Sequence, residues 1–437
     1  MMTRETVAGA LSVLAAGALA GVADATFVAL APWVACAWGG AVAVLLRGDS
    51  TGHPTAPAWV WAIAVRAPLL VAPCALSDDV WRYVWEGHAW RAGFNPFDHA
   101  PDSVALGPLR ARLPEVWEHV AHRSIPSIYP PGAQALFVLL APGGVLAWRV
   151  LAAACDALTA HTLGRASPRA GLLWALLPLP ALESAVSGHL EGVGVLLWTL
   201  ALTRRDDPAP LSGPATIAAW VGAMVKVLPG VLLLRAGWRR ALLGTLLGVA
   251  AAAPIVGSQA WDTYRTSWAF NGSVFPLLEP LLGGATRPVL QAVGATIVAA
   301  AVWRTRGAAT LALWTSGALV CLSPVVHPWY VLWPLAAALL RGRAAWTLLA
   351  AVVPLSYVVL ATYDPVTSRW SEATWTRWVV WLPFYVALAR EAWRARGRGS
   401  EPGDSALGDV GVVEPEAGVV KTEGVQDRDE ELVRRDP

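Results

Sequence analysis

The sequence predicts an all-α, polytopic integral membrane helix bundle of roughly 12 to 14 transmembrane helices. Composition is the first reason, because 56% of the 437 residues are hydrophobic, 15% are charged and the mean hydropathy is +0.49. A soluble globular protein needs more polar residues to cover its surface. The second reason is that apolar segments approaching the ~30 Å thickness of a hydrocarbon core recur along the chain as far as Trp393.

Apolar segments that could cross a membrane are separated by short polar connectors, and several are shorter than the ~20 residues of a complete crossing. We expect the short ones to be half-helices, re-entrant segments or elements enclosed by protein. The candidate segments are 7–22, 27–46, 59–76, 146–163, 171–187, 190–202, 217–225, 228–234, 242–256, 289–303, 310–322, 330–340, 346–361 and 378–393.

Charged connectors predict the orientation, because arginine-bearing connectors face the cytoplasm under the positive-inside rule. The arginine connectors carry Arg47, Arg165, Arg169, Arg204, Arg205, Arg235, Arg239, Arg240, Arg304, Arg306, Arg341, Arg343 and the run at 390–398. The intervening connectors then lie outside the cell membrane, and they carry Asp78, Asp79, His189, Glu191, Lys226, Asn271, His327 and Asp364. Arg91, Arg110, Arg112 and Arg149 do not follow the rule.

Two domains are predicted: a transmembrane module at 1–396 and a disordered cytoplasmic tail at 397–437, which lacks aromatic residues and helical periodicity. The module includes a long outer loop at 77–131, too long and too patterned for a simple turn. Helical spacing within that loop predicts a helix at the membrane interface, with one face formed by Asp79, Arg82, Tyr83 and Glu86.

Net charge and cysteine spacing give no indication of nucleic-acid binding, of a cysteine metal site or of a disulfide framework. The net charge of +2 gives no reason to expect a nucleic-acid partner. The four cysteines show no spacing typical of metal ligands or of a disulfide framework, so we interpret them as small buried hydrophobic residues. Most of the 25 tryptophans are expected to anchor helices at the membrane interface.

Two adjacent carboxylates, Asp78 and Asp79, directly follow the segment at 59–76. A carboxylate at a membrane surface can take the proton of an attacking hydroxyl as a general base, or bind a divalent cation such as Mg²⁺ or Mn²⁺. The competing interpretation is helix capping, since Ser77, Asp78 and Asp79 all suit an N-cap. The pattern alone does not separate these interpretations.

Lys226 interrupts an apolar run at 218–234, and a charge at membrane depth costs ~2.5 to 3.5 kcal/mol on insertion scales. Such a lysine usually faces a polar cavity or an anionic group, but its long stem also permits snorkelling to the interface. His189 and Glu191 lie in a connector where a solvated turn is the competing interpretation. Their spacing of two residues does not predict that they act as a pair.

His327 lies between Pro324 and Pro328, where prolines break the helix and expose backbone groups. Trp329 and Tyr330 follow directly, which favours a binding role over a purely structural histidine. Asn271 begins an Asn-Gly-Ser sequence, which we interpret as part of an outer loop and not as a glycosylation acceptor.

Six short motifs occur in an order that resembles bacterial polyprenol-phosphate-sugar-dependent mannosyltransferases of the GT-C class, including the glycosyltransferase 87 and α-1,6-mannosyltransferase groups. They are SDDVWRYVWEGHAWRAGFNPF at 77–97, IYPPGAQ at 128–134, SGHLEG at 187–192, KVLPG at 226–230, NGSVF at 271–275 and HPWY at 327–330. The resemblance covers most of the chain from 77 to 333. The family commonly has tyrosine at the position of Trp81 and aspartate at that of Glu86.

The resemblance implies an inverting GT-C glycosyltransferase in the inner cell membrane that moves a hexose, mannose in the family, from a polyprenyl-phosphate-sugar donor. The acceptor is a lipid or glycan at the outer, periplasmic face, and Asp78 or Asp79 is the general base. Candidates for binding the donor phosphate are Arg82, Lys226, His327 and Arg265. Candidates for binding the sugar or acceptor are Tyr83, Glu86, Asn95, Tyr129, His189, Glu191, Asn271, Trp329 and Tyr330. No cofactor is required because the donor is already activated, although the paired carboxylates leave Mg²⁺ or Mn²⁺ open.

Two other functions compete with this interpretation. A secondary transporter would also need broken helices and intramembrane charges, but it predicts inverted repeats, and the sequence contains no convincing repeat. A lipid-linked glycan polymerase or ligase could use the same outer carboxylate. The sequence does not identify the acceptor.

Deletion of the predicted tail at 397–437 is expected to leave membrane insertion and turnover largely unchanged, because the segment lacks apolar residues that could pack. Membrane fractionation and an activity assay of the truncated chain check this. Loss of insertion in the truncated chain would contradict the interpretation of the tail.

Overall fold

The fold is known from a computed structural model that describes residues 3–47, 56–202, 211–363 and 371–398. Within these ranges the regular structure is helical, apart from two isolated β-bridges. The predicted all-α class is therefore confirmed for the described residues. Contacts divide the chain into Met1–Glu391 and Ala392–Pro437, and only the end of the last helix is described in the second unit. Arg204, Arg205, Asp364 and nearly all of the predicted tail lie outside the described residues.

Twenty α-helices occur in the described ranges. The first ten are α1 Arg4–Ala20, α2 Asp24–Leu45, α3 Ala58–Leu69, α4 Asp79–Arg91, α5 Gly107–Arg112, α6 Pro114–His119, α7 Pro131–Leu140, α8 Gly144–Ala166, α9 Pro168–Leu176 and α10 Pro178–Ala181. The others are α11 Glu191–Leu202, α12 Gly213–Val225, α13 Trp238–Ala252, α14 Gln259–Thr266, α15 Phe275–Leu282, α16 Thr286–Arg304, α17 Ala308–Leu322, α18 Leu332–Leu340, α19 Ala344–Val352 and α20 Thr374–Arg398.

Shorter helical turns join or extend these helices. A π-helix occupies Leu182–Val186. The 3₁₀ segments are Val104–Leu106, Ala141–Gly143, Leu228–Arg235, Gly283–Ala285, Pro328–Val331 and Val353–Thr362.

Four helical segments in the described ranges are long and apolar enough to cross a membrane: Asp24–Leu45, Pro131–Ala166, Phe275–Arg304 and Ala344–Thr362. Five shorter apolar helices accompany them, at Ala58–Leu69, Glu191–Leu202, Gly213–Val225, Ala308–Leu322 and Pro328–Leu340. These are the features of a helical membrane protein, and the short helices agree with the expectation of interrupted spans. The number of crossings and their orientation stay predictions.

The helix break at Lys226 illustrates why several apolar segments are short. Lys226 ends α12 with an extended backbone, at φ −143° and ψ 132°. Pro229 follows in the 3₁₀ segment Leu228–Arg235, where its missing N–H and its ring prevent continuation of an α-helix. The apolar run therefore divides at its one charged residue.

Helix α4 was predicted as an interfacial helix, and the structure confirms the helix but buries most of it against α7. The close approach depends on Gly87, where a Cβ atom would lie 2.1 Å from the carbonyl oxygen of Phe137. Backbones can approach this closely only where a side chain is absent. The sequence pattern of α4 did not reveal this burial, because polar residues occur on the face that packs inward.

Arg149, which did not fit the positive-inside rule, is buried at the junction of three elements. Its guanidinium donates to the carbonyl oxygens of Leu69, Ala72 and Ala185, at 2.7, 2.9 and 2.6 Å. Carbonyls at the ends of helices lack intrahelical partners and need such donors when buried. Arg149 thus has a structural role, which explains its departure from the rule.

A buried ion pair joins α3 to α8. Arg66 and Asp156 are both almost fully buried, and the guanidinium Nε donates to the Asp156 carboxylate. Arg66 also donates to the carbonyl oxygen of Ala175 at 2.6 Å, and Trp174 Nε1 donates to Asp156 at 2.8 Å. The sequence signal for this pair was a charge inside each of two apolar segments, which usually indicates a partner within the bundle.

Substitution of either member of this pair, Arg66→Ala or Asp156→Ala, is expected to destabilise the protein by about 3 to 5 kcal/mol, because it leaves the other charge buried and unpaired. Thermal unfolding of the purified protein in detergent measures the effect. As a control, Arg265→Ala breaks the exposed Arg265–Asp262 pair and should change stability by less than about 0.5 kcal/mol. Equal losses of stability at the buried and the exposed pair would contradict the stabilising role given to Arg66 and Asp156.

Candidate functional site

The start of α4 places two carboxylates at an accessible edge. Asp78 occupies the N-cap position, but its side chain makes no capping hydrogen bond. Ser77 takes that role, since its Oγ accepts the backbone N–H of Asp79 at 3.2 Å. Asp78 is exposed and the Asp79 side chain is 36% exposed, and neither carboxylate accepts a hydrogen bond from the described residues. Capping therefore does not account for either carboxylate.

The π-helix at Leu182–Val186 and the turn after it orient His189. The N–H of Ser187 bonds to the carbonyl oxygen of Leu182, five residues earlier, and Gly188 then reverses the chain with φ +63°. Glycine suits this position because it tolerates positive φ. The turn brings the His189 N–H to the Glu183 carbonyl oxygen at 2.9 Å, so the imidazole lies back over the Glu183 side chain. π-Helical turns are frequent at functional sites.

His189 occupies the middle of a hydrogen-bonded chain that runs from Tyr357 through Glu183 to Ser77, beside Asp79. Its Nδ1 lies 2.8 Å from Glu183 Oε2, and its Nε2 lies 2.9 Å from Ser77 Oγ and 3.8 Å from Asp79 Oδ2. The hydroxyl of Tyr357 donates to the other Glu183 oxygen at 2.8 Å. A carboxylate on one ring nitrogen sets the orientation of the imidazole and favours a proton on that side.

Sequence reasoning missed Glu183 and Tyr357. Glu183 lies inside the apolar segment predicted at 171–187, and an acidic residue at membrane depth is itself a signal of function. Tyr357 gives no such signal, because a tyrosine within an apolar segment is common. Its contact with Glu183 spans 174 positions of sequence and depends on tertiary packing.

Lys226, directly after α12, forms an ion pair with Glu191, the first residue of α11. The Nζ atom lies 2.8 Å from Glu191 Oε1, and the Lys226 side chain is 25% exposed whereas that of Glu191 is 1% exposed. Glu191 Oε2 is buried and has no hydrogen-bond partner among the described residues. Lys226 Nζ is also 5.9 Å from the ring centre of Tyr129. Lys226 thus faces an anionic partner, as predicted, and part of it remains accessible.

These residues form one group, here called the polar cluster: Asp79, Glu183, His189, Glu191 and Lys226. Asp79 interacts electrostatically with His189 and Lys226, and Glu191 interacts with the same two residues. The structure therefore brings together residues from three connectors that the sequence placed on one face. Only Asp79 and Lys226 of the cluster are appreciably accessible, with Asp78 beside them.

His327 adjoins the polar cluster through Trp329. The Trp329 ring lies 4.0 Å from that of His189 and stacks on that of His327 at 4.4 Å, with an interplanar angle of 1°. Enclosure by protein, with the positive charges of His189 and Lys226 nearby, lowers the pKa of His327 to about 3. The imidazole is therefore neutral near pH 7, and it can donate a hydrogen bond but cannot supply the predicted positive charge.

Tyr330 lies at the edge of the same aromatic group. Its hydroxyl lies 3.5 Å from that of Tyr264 on α14, and it interacts electrostatically with Glu191 and Asp79. Tyr129 likewise interacts with Asp79 and Glu191. Both tyrosines are thus near the polar cluster, and substrate contact by either stays a prediction.

Arg82 and Glu86, both predicted to contact substrate, instead hold the outer loop to α4. Arg82 donates to Glu86 at 2.6 Å and to the carbonyl oxygens of Ala121, His122 and Ile125 at 3.3, 3.0 and 2.6 Å. The other Glu86 oxygen accepts from Ser127 and Gln134, each at 2.7 Å. All three guanidinium nitrogens are engaged, so these contacts give no support to phosphate binding by Arg82.

Two other predicted site residues, Asn95 and Arg265, are not brought to the polar cluster. Tyr83 interacts electrostatically with Asp79 and Glu191, but its side chain is fully buried in an aromatic group with Phe137 and Trp148, at ring distances of 4.8 and 5.2 Å. Asn95 forms a local turn, accepting the N–H of Phe97 at 3.0 Å. Arg265 pairs with Asp262 on an exposed surface at 3.1 Å.

Asn271 supports the loop that carries His327. It adopts a left-handed backbone conformation, with φ +49°, and its amide donates to the carbonyl oxygen of Val326 at 3.3 Å. Its own carbonyl accepts from Trp381 Nε1 at 3.0 Å. The side chain is buried, so the loop interpretation fits the structure, but the contacts are with protein and leave substrate binding by Asn271 as a prediction.

The pKa of Asp78 is perturbed by its surroundings. Although Asp78 touches solvent, surrounding protein atoms partly desolvate its carboxyl and raise its pKa, and the adjacent charge of Asp79 adds to the rise. Across the site, partial burial lowers the pKa of His122, and the charge of Asp79 opposes that shift. Asp78 is therefore more easily protonated than an ordinary aspartate.

Among the residues that the structure describes, no group of three or more His, Cys, Asp or Glu side chains is arranged to hold a metal ion. A role for Mg²⁺ or Mn²⁺ stays a prediction that rests on Asp78 and Asp79 alone.

Comparison of the chain with family models, curated proteins and solved structures returns no match. The function is therefore argued from the geometry of the site.

Substitution Arg82→Ala is expected to release the loop at 121–127 from α4, because three carbonyl oxygens lose their donor. Limited proteolysis should then cut the loop faster than in the wild-type protein. Arg82→Lys should not restore protection, since an ammonium cannot reach several carbonyls in the fixed geometry of a guanidinium. Unchanged proteolysis together with weakened phosphate binding would instead support the role predicted from sequence.

Proposed function

We propose that the protein is a GT-C-like membrane glycosyltransferase that transfers a hexose from a polyprenyl-phosphate-sugar donor to a lipid or glycan acceptor. One observation carries the proposal: an accessible carboxylate, Asp79, and an accessible cation, Lys226, lie beside the buried groups Glu183, His189 and Glu191. A transfer from a phosphate leaving group needs a base for the incoming hydroxyl and a positive charge for the departing phosphate.

Asp79 is the proposed general base. The acceptor hydroxyl gives its proton to the carboxylate as its oxygen bonds to the anomeric carbon, and the bond from that carbon to the phosphate oxygen breaks. Attack opposite the leaving group inverts the anomeric configuration. His189, 3.8 Å from Asp79 and bonded to Glu183 at 2.8 Å, positions the base. A fixed orientation of this kind is a large part of general-base efficiency.

Lys226 is the proposed partner of the leaving phosphate. Arg82 is engaged by the loop, Arg265 pairs at the surface and His327 is neutral, so Lys226 is the accessible cation of the polar cluster. Glu191 holds the ammonium from the buried side, and its unpartnered oxygen can accept a hydrogen bond from a sugar hydroxyl. A donor that is already activated needs no further cofactor.

Location and partners follow from the same proposal. The alternation of arginine connectors supports a multi-pass protein with the polar cluster at the outer side and the tail in the cytoplasm. The resemblance of the motifs to bacterial enzymes suggests the inner membrane and the periplasmic side. The donor and a lipid acceptor would reach the cluster from the bilayer. Mannose is the sugar suggested by the resemblance of the motifs, and no nucleic acid is expected to bind.

Substitution Asp79→Asn is expected to lower turnover by about 100-fold or more while the protein level stays normal, because the amide keeps the shape but cannot accept the proton. Asp78→Asn should have a smaller effect. The assay is reconstitution in vesicles with radiolabelled polyprenyl-phosphate sugars and membrane lipid acceptors. Near-normal turnover in both variants would refute carboxylate catalysis at this loop.

Lys226→Ala, measured beside the two aspartate variants, is expected to weaken donor binding as well as turnover, since the ammonium contacts the phosphate in the ground state and in the transition state. Arg265→Ala is the matched control and should alter neither. Uptake of a solute by the vesicles without sugar transfer would favour a transporter, and extension of a lipid-linked glycan would favour a polymerase.

A further inference from the structure

A cavity is lined by residues at the start of α3 and the end of α8. Its volume is about 280 Å³, and its lining includes Pro57, Trp59, His161, Arg165, Pro168 and Leu172. Helix α3 starts at this cavity and is 12 residues long, a rise of roughly 18 Å, and it ends at Leu69. Arg149, in the first turns of α8, donates to Leu69 at the far end of α3, so the two helices are antiparallel.

The walls of the cavity are formed by closely packed helices. At the α8–α9 contact, a Cβ atom on Gly171 would lie 2.5 Å from Gly164 Cα. A Cβ atom on Gly164 would lie 3.4 Å from Ala58 Cβ at the start of α3. Small residues allow this approach, and tightly packed helices change little when a ligand binds. The cavity is therefore a preformed site.

Two nitrogen-bearing side chains of α8 line the cavity. His161 and Arg165 are four residues apart and share a helix face. Neither makes a hydrogen bond or ion pair in the described part of the chain, whereas the buried Arg66 and Arg149 donate to carboxylate or carbonyl oxygens. An exposed guanidinium without a protein partner can form paired hydrogen bonds with a phosphate.

The rest of the lining is mostly apolar, which distinguishes a lipid from a soluble anion. Trp59, which lines the cavity, is 43% exposed, so an acyl chain could lie against its ring. Basic pockets between transmembrane helices bind the headgroups of anionic lipids. We propose that this cavity binds an acidic glycerophospholipid, with its phosphate against Arg165 and His161. The proposal is independent of the function proposed for the polar cluster.

The test measures thermal unfolding of the full-length protein in detergent after removal of bound lipid. Phosphatidylglycerol is titrated in mixed micelles, with phosphatidylethanolamine and inorganic phosphate as separate arms. Phosphatidylglycerol should raise the Tm in a saturable way, because a ligand that binds only the folded state stabilises it. Phosphatidylethanolamine and inorganic phosphate should raise it much less.

Variants of the cavity identify the site. Arg165→Gln should weaken the apparent affinity for phosphatidylglycerol by about fivefold. Arg165→Lys should retain part of the affinity, because the lysine keeps the positive charge that attracts the anionic headgroup. Arg306→Gln is the matched control, since Arg306 is an exposed arginine of another connector and does not line the cavity. Equal responses to the two phospholipids, or equal responses of wild type and Arg165→Gln, would overturn the proposal. An inorganic-phosphate response as large as that of the lipid would overturn it as well.

Discussion

The cost of burying a charge without a partner is the constraint on which the structure depends. Glu183 and His189 are both enclosed by apolar helices, and each compensates the other through a contact of 2.8 Å. That contact requires the π-helical turn and the positive φ of Gly188, because a regular helix would carry His189 away from Glu183. Loss of either partner would leave an ion or a polar ring in a medium of low dielectric constant, which is unfavourable by several kcal/mol.

The same constraint separates structural from functional charges. Arg66, Arg149 and Arg82 are surrounded by carbonyl and carboxylate oxygens, so their hydrogen-bonding capacity is used within the protein. Asp79 and Lys226 differ, because each has a buried neighbour on one side and an accessible side without a protein partner. A charged group that is held in place and can still form a further hydrogen bond or ion pair is suited to bind or react with a substrate.

Aromatic packing connects the polar cluster to the rest of the bundle. Trp329 lies between His189 and His327, and the loop of His327 is in turn paired with Phe270 and Asn271 through two β-bridges. Closely packed rings exclude water and restrict rotation, so Trp329 helps to keep the imidazole of His189 over Glu183. The neutrality of His327 follows from this arrangement, since two cations and an apolar enclosure disfavour a further positive charge.

The sequence by itself determined the all-helical class, the apolar helices of a membrane protein and the helix after Asp78, and it predicted one face for Asp79, His189, Glu191 and Lys226, because hydropathy, helical spacing and connector charge are local properties. It did not determine which charged side chains use their hydrogen-bonding capacity within the protein. Arg82 and Lys226 were both predicted to bind the donor phosphate, yet Arg82 donates to loop carbonyls some 40 positions away and Lys226 keeps an accessible face. Only tertiary packing decided this, and it also decided the role of Glu183, because hydrogen-bond partners distant in sequence are set by how helices meet.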